Sequence, residues 1–375
     1  MPRSSKTLAR VLKKSSVRGL AAAAVVAATV LAGGGATTAF AEAAGTPGPA
    51  GVTGHTVTAR SAPASAARVA TYWTRARMLS ARNLDNLTEK SGNGAARARV
   101  PARPSGPAGK VAGSAPTQAL AGGVRPVPAP ARTGMAPLTG STGSPWTGNF
   151  YLPPATTTGK VFFTDHDGGN WVCSGSTVNS GGKDVVFTAG HCVYGTAGGE
   201  LPAGETWHSN WMFVPDYYYG YAPYGVWTAA QLWTLTNYVN YGDEGDDIGA
   251  VVMNVNSAGQ HIVNVVGGQG IAWNYPDDQY VYDFGYPAAS PFNGAVLDEC
   301  DGYEFDWSSV VSSTMGLYCN FTGGSSGGPW LMSFGGEFGY VNGINDFAYS
   351  SLSGYIFSAY FGSNAGNLYN AVANL

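Results

Sequence analysis

Two short stretches decide how this chain reads: Thr188-Ala189-Gly190-His191-Cys192, and Gly323-Gly324-Ser325-Ser326-Gly327-Gly328-Pro329 near the end. Between them, Asp246-Asp247-Ile248-Gly249-Ala250-Val251 sets a carboxylate at the head of an apolar run. Histidine, aspartate and serine thus follow one another in that order. A serine hydroxyl is a poor nucleophile at neutral pH and needs an adjacent base. Histidine suits that role because its proton affinity lies near working pH, and a buried carboxylate holds the imidazole in the useful tautomer. His191 follows the apolar residues 185–187, so a rigid strand can deliver it to a cleft. Asp247 is the expected carboxylate because it directly precedes 248–251, the start of a buried strand, whereas Asp246 would point to the opposite face. The glycines around Ser326 tolerate positive φ and close substrate approach. They let the backbone N–H groups of Gly324 and Ser326 turn toward an oxyanion.

Outward from these motifs, residues 156–375 form a glycine-rich, aromatic and β-branched stretch, long enough for one well-cored domain. Segments 159–164, 171–178, 185–188, 211–214, 248–252, 280–285, 315–319 and 340–344 read as short strands between turn-forming residues. One helix is expected at 364–375. Many short strands with a single terminal helix predict an all-β sandwich or barrel.

The N-terminal part is of another kind. Arg3, Lys6, Arg10, Lys13, Lys14 and Arg18 precede an apolar stretch running to about residue 32, and Ala39-Phe40-Ala41 supplies a small-x-small site. Residues 1–41 therefore read as a signal peptide, cleaved before Glu42. The apolar run is short for a bilayer span and no later stretch is long enough, so no membrane anchor is expected. Export leads to an oxidising compartment, where four cysteines fit two disulfides.

Charge divides the remainder. Residues 42–132 hold 12 Lys or Arg against 3 acidic residues, a net of +9, while residues 133–375 hold only Lys160 and Lys183 against 20 acidic residues, a net of −18. Residues 42–66 and 91–150 are rich in Ala, Gly, Pro, Ser and Thr and bury little. Only 66–90 reads as capable of order, with Val69, Tyr72, Trp73, Ala76 and Leu79 near helical spacing. Residues 42–155 are expected to be a largely disordered basic propeptide and linker whose basic helix lies on the acidic domain. A nucleic-acid role has no recognition motif behind it. The acidic loop from Asp243 to Asp247 lacks EF-hand spacing, no C-x-x-C pair suggests zinc, and no cofactor or metal is expected.

Residues 159–349 resemble the chymotrypsin-like serine proteases. They are closer to the bacterial glutamyl-endopeptidase (V8-like) branch and its actinobacterial trypsin-like relatives than to trypsin itself. The resemblance rests on T-A-G-H-C at 188–192, D-I-G-A-V at 247–251, G-Y-P at 285–287 and G-G-S-S-G-G-P at 323–329. It implies two six-stranded antiparallel β-barrels with the active site between them. It further implies His191 as base, Asp247 as its orienting partner, Ser326 as the acyl-forming nucleophile, and an oxyanion hole from the amides of Gly324 and Ser326. Local order and the resemblance together favour the pairings Cys173–Cys192 and Cys300–Cys319.

Two positions depart from the family pattern. Ser325 stands where many members carry an aspartate that pairs with a newly cut N-terminus, so activation is expected to mean removal of a steric block. Asn345, in Gly343-Ile344-Asn345, stands where glutamate-specific relatives have a histidine. The resemblance places the floor of the substrate pocket at Asn320 and Phe321, with Asn345 nearby. A neutral P1 residue is therefore expected, unless Asp346 turns into the pocket and admits Lys or Arg. The sequence thus reads as a secreted, monomeric serine endopeptidase of proteins or peptides, with its own propeptide as intramolecular inhibitor. Its rivals are a non-catalytic binding protein on the same fold and an esterase using the same triad.

Overall fold

The computed structural model describes residues 57–62, 64–83, 106–123, 142–195, 206–349 and 351–375; the expected signal peptide lies outside them. Six antiparallel strands close into a first barrel. In order around it they are Trp227–Leu235, Ile248–Met253, Val185–Ala189, Asn170–Val178, Thr158–Thr164 and Ser209–Pro215, the last pairing back to the first. Every residue of Val185–Ala189 and Ile248–Met253 is buried, as their unbroken apolar runs require. Phe162, Phe187, Phe213 and Trp227 are buried in its core cluster.

The second half is built from a seven-stranded sheet and a three-stranded one. Gly270–Trp273, Tyr340–Ile344, Pro329–Met332, Tyr280–Gly285 and Asp298–Tyr303 are the central strands of the larger sheet. Its two edges are covered by Gly109–Val111 and Ser144–Pro145, both from the segment read as a disordered linker. An uncovered edge leaves a row of unpaired amides and carbonyls, which explains why such poor strand formers are held there. The smaller sheet comprises Phe305–Asp306, Thr314–Tyr318 and Tyr355–Ala359. It is tied to the larger one by the disulfide Cys300–Cys319 and by Ile344 N–H donating to Ser358 Oγ at 2.9 Å. All eight predicted strands are present. Together the two halves form the two-barrel architecture, and the C-terminal helix Ser363–Val372 seats Leu368 and Val372 in the core of the first.

Residues 57–83 are packed on the first barrel. Val57–Ser61 adds to the edge of Trp227–Leu235 as an antiparallel strand. Instead of one helix there are two short ones, Ala66–Tyr72 and Arg75–Ser80, because Thr74 caps the second by accepting from Arg77 N–H at 3.3 Å. The break resets the helical phase, so Met78 is buried and Leu79 lies 53% exposed. Val69, Trp73 and Met78 join the barrel core. The Trp73 indole donates to the carbonyl of Asn210 at 2.5 Å, and its ring lies 5.4 Å from that of Phe162. The basic residues meet aromatic rings and carbonyls. Arg75 lies over Tyr221 and donates to the Tyr219 carbonyl, and Arg82 lies over Trp171. Apolar burial, strand addition and the ring and carbonyl contacts of Arg75 and Arg82 are seen at this contact. Among the described residues no helix is long and apolar enough to cross a membrane.

Candidate active site

Register brings His191 and Asp247 together. Strand Ile248–Met253 pairs antiparallel with Val185–Ala189 so that Ile248 faces Ala189. Asp247, one residue before its strand, therefore meets the tight turn Gly190–Cys192 that follows the other. Asp247 Oδ1 accepts from the His191 main-chain N–H at 2.7 Å, and Oδ2 lies 2.9 Å from His191 Nδ1. Gly190 makes this approach possible. A Cβ there would stand 2.7 Å from Asp247 Oδ1 and 2.9 Å from Thr234 Oγ1. Asp246 faces away, its carboxylate accepting from the amides of Asn237 and Asn364 at 2.9 and 2.8 Å.

The serine loop is fixed from two sides. Gly324 and Gly327 have φ of +97° and +81°, a region that glycine enters without strain. Gly327 N–H donates to the Asn345 carbonyl at 2.6 Å, and Asn345 N–H returns to the Gly328 carbonyl at 2.9 Å. From the first barrel, Ser174 N–H donates to the Ser326 carbonyl at 2.7 Å and Ser174 Oγ–H to the Gly324 carbonyl at 2.9 Å. The histidine and serine motifs touch. A Cβ on Gly327 would lie 2.1 Å from Thr188 Oγ1, and the sulfur of Cys192 is 3.7 Å from the Ser326 carbonyl oxygen. Disulfides Cys173–Cys192 and Cys300–Cys319 are both present. The first joins the residue before Ser174 to the residue after His191. Among the described residues, neither Ser326 Oγ nor His191 Nε2, both buried, has a hydrogen-bond partner. Buried polar atoms are seldom left so without a functional reason.

Two further residues belong to the site. Asp346 is buried, with Oδ1 3.5 Å from His191 Nδ1, so it does not turn toward a substrate pocket. His208, whose local context reads as that of a surface or rim residue, is 1% exposed. It stacks on Phe163 at 4.2 Å, and its Nε2 lies 3.0 Å from the His191 carbonyl oxygen. Nothing in the local sequence of His208 or Ser174 marks either residue, since each acts through a partner distant in the chain.

Burial pushes His208 down to about 4, which keeps it neutral and fixes Nε2–H as the donor to His191. Burial alone would lower His191 and raise Asp247. Their mutual attraction and hydrogen bonds reverse both shifts, holding His191 above the ordinary histidine range and Asp247 below the ordinary carboxylate range. Asp346 is pushed well up, first by burial and then by the charge of Asp247.

The residues expected to form the pocket divide. Phe321 is buried against Phe292, with ring centroids 5.7 Å apart. The Asn320 side-chain oxygen accepts from Gly143 N–H at 2.6 Å. Asn345 is wholly buried and used internally. Its amide donates to Asp283 at 2.7 Å and accepts from the Trp330 indole at 2.9 Å, so it braces the serine loop.

A scan against protein-family models matches none, and a search of curated proteins finds no relative. Solved structures are informative. The protease Anisep from Arthrobacter nicotinovorans is 39% identical, with 59% of this chain and 97% of Anisep covered, at a TM-score of 0.54. The thermostable serine protease AL20, from an extremophilic microorganism, is 38% identical over 58% of this chain and 97% of its own, also at 0.54. Nearly the whole of each relative is therefore matched by somewhat more than half of this chain, which supports a proteolytic function. Shared architecture at this level of identity, over almost their full length, places the chain in the chymotrypsin-like serine proteases.

Proposed function

We propose that the chain is a secreted serine endopeptidase that cleaves peptide bonds through an acyl-enzyme. The observation carrying this reading is the pair of hydrogen bonds that Asp247 accepts from His191, set beside a glycine loop that presents Ser326 against the strand leading to His191. Ser326 Oγ attacks the scissile carbonyl carbon while His191 Nε2 takes its proton. Asp247 stays ionised and stabilises the imidazolium through Nδ1–H. The oxyanion is received by the N–H groups of Gly324 and Ser326. His191 then protonates the leaving amine, and water, activated by the same base, hydrolyses the ester.

Specificity for a neutral P1 side chain fits Phe321 beside the neutral Asn320, with Asp346 turned to His191 instead. The two disulfides suit an extracellular site of action. Residues 42–155 are read as the propeptide and linker. Their stretch near Gly143 reaches the pocket residues, where a Cβ on Gly143 would come within 2.7 Å of the Phe321 ring. Removing that stretch would open the pocket, in keeping with activation by relief of a steric block.

Intact-mass measurement of the secreted protein after treatment with a serine-directed fluorophosphonate tests the reading. One adduct on Ser326, lost in Ser326→Ala together with about 10⁴-fold or more of kcat, is expected. No adduct on folded protein would favour a non-catalytic binding protein, and turnover of esters without amides would favour an esterase.

A further inference from the structure

Two acids share one imidazole in this site. The His191 Nδ1 and one carboxyl oxygen each from Asp247 and Asp346 lie within 4.8 Å of one another, and all three residues are buried. Two carboxyl groups this close and this well buried do not both stay ionised, because each charge would face the other away from water. Two ionised carboxylates are acceptors only, and a proton on one of them makes it a donor toward the other. The contacts say which. Asp247 accepts twice from His191, at its main chain and beside its ring. Asp346 approaches the ring only at 3.5 Å, and its Oδ2 has no partner among the described residues.

The other titratable groups around the cluster supply no compensating charge. Tyr238, from helix Thr236–Tyr241, is near enough to feel both carboxyl groups and Tyr194, and is buried in its neutral form. His208 reaches the cluster through the His191 carbonyl and is neutral. Asp246 is held by Asn237 and Asn364 on the far side.

We propose that Asp346 is a positioning residue that carries a proton in the resting enzyme and donates it as a carboxylic acid to Asp247, fixing the carboxylate that orients His191. The inference rests on the triad proposed above. The proton stays on Asp346 throughout. When His191 takes the Ser326 proton, the cluster becomes an imidazolium, one carboxylate and one neutral acid, with no net charge. Were Asp346 ionised, two buried like charges would face a neutral imidazole at rest. They would hold it protonated and unable to act as a base.

The test compares Asp346→Asn, a neutral donor of similar shape, with Asp346→Ala in the secreted enzyme, with active sites counted by fluorophosphonate and kcat and KM followed against pH. Asp346→Ala is expected to lose about 100-fold in kcat with KM little changed, as loss of orientation predicts. Asp346→Asn is expected to recover most of that loss and to move the acidic limb of kcat/KM by less than about one unit. If the asparagine variant does not fold, Asp346→Ser makes the same comparison with a hydroxyl donor. A limb displaced downward by about one unit or more would show that Asp346 is ionised, and an unimpaired Asp346→Ala would show that it positions nothing. Either result overturns this inference alone. A folded wild-type enzyme that takes no label at Ser326 overturns the proposed function, and this inference with it.

Discussion

The main-chain N–H of Ser174 donates to the carbonyl of Ser326 at 2.7 Å, so a strand of the first barrel holds the serine loop of the second half directly. The Ser174 side chain repeats the link by donating to Gly324 and accepting from Tyr286 N–H, each at 2.9 Å. Its own carbonyl receives Thr188 Oγ–H at 2.8 Å. One residue thus ties the serine loop to the strand that carries His191.

Ser174→Ala removes the two side-chain bonds and leaves the buried Gly324 carbonyl and Tyr286 amide unpaired. A loss of about 1–3 kcal/mol in stability is expected for such groups, together with about 100-fold in kcat through displacement of the loop. Denaturant titration and active-site-normalised kinetics check both. Wild-type kcat in a destabilised variant would show that the clamp is structural only.

The two disulfides should separate kinetically. Each spans 19 residues, so removing either by paired alanine substitution should cost a similar amount, about 3 kcal/mol on chain-entropy grounds. Cys173–Cys192 flanks His191 and Ser174, and its loss should lower kcat. Cys300–Cys319 adjoins Asn320 and Phe321, and its loss should act mainly on KM. Equal kinetic effects from the two pairs would refute this division.

Lys160 gives a pH signature. It is buried, donates to the Gly294 carbonyl at 2.6 Å, and lies 5.0 Å from the Tyr217 ring centroid. Burial lowers it from the ordinary 10.5 to about 7. Between those values the unfolded chain binds more protons than the folded one, so this residue makes stability rise with pH. The burial cost is full below about pH 7 and gone above 10.5. Lys160→Met should therefore compare best with wild type at low pH, the difference falling as pH climbs through that window. Chemical denaturation at several pH values reads it, and a pH-independent difference would contradict the assignment.

Trp73 should anchor the segment proposed as the propeptide. With its side chain 3% exposed and its indole bonded to Asn210, Trp73→Ala in an added 42–132 segment should raise its Kd for the mature enzyme by about 30-fold or more. Raising salt from about 0.05 to about 0.5 M should change Kd far less, because Arg75, Arg77 and Arg82 meet aromatic rings and main-chain carbonyls. A steep salt dependence with little effect of Trp73→Ala would restore charge attraction as the main force.

Much of the fold was legible because it is written locally. Alternating or continuous apolar runs marked strands such as Val185–Ala189 and Ile248–Met253, where period and burial agree. Other strands carried no such mark. Asp298–Tyr303 reads Asp-Glu-Cys-Asp-Gly-Tyr and is extended because Tyr280–Gly285 pairs with it and Cys300 is tied to Cys319. Trp227–Leu235, with two alanines and a glutamine, is a strand because it has a neighbour on each side in the closed barrel.

The candidate site divides in the same way. His191, Asp247 and Ser326 stand in motifs whose glycines are needed by the immediate backbone, so sequence alone pointed to them. Ser174, His208 and Asp346 act only across the fold, over contacts with residues 14 to 155 positions away. Asn345 was expected near a pocket and instead lies buried between Asp283 and Trp330. The sequence by itself determined the chemistry, because residue type and local backbone freedom are one-dimensional properties. Only the tertiary structure decided which buried carboxyl faces which histidine, because desolvation and hydrogen-bond partnership arise when strands distant in the chain close around them.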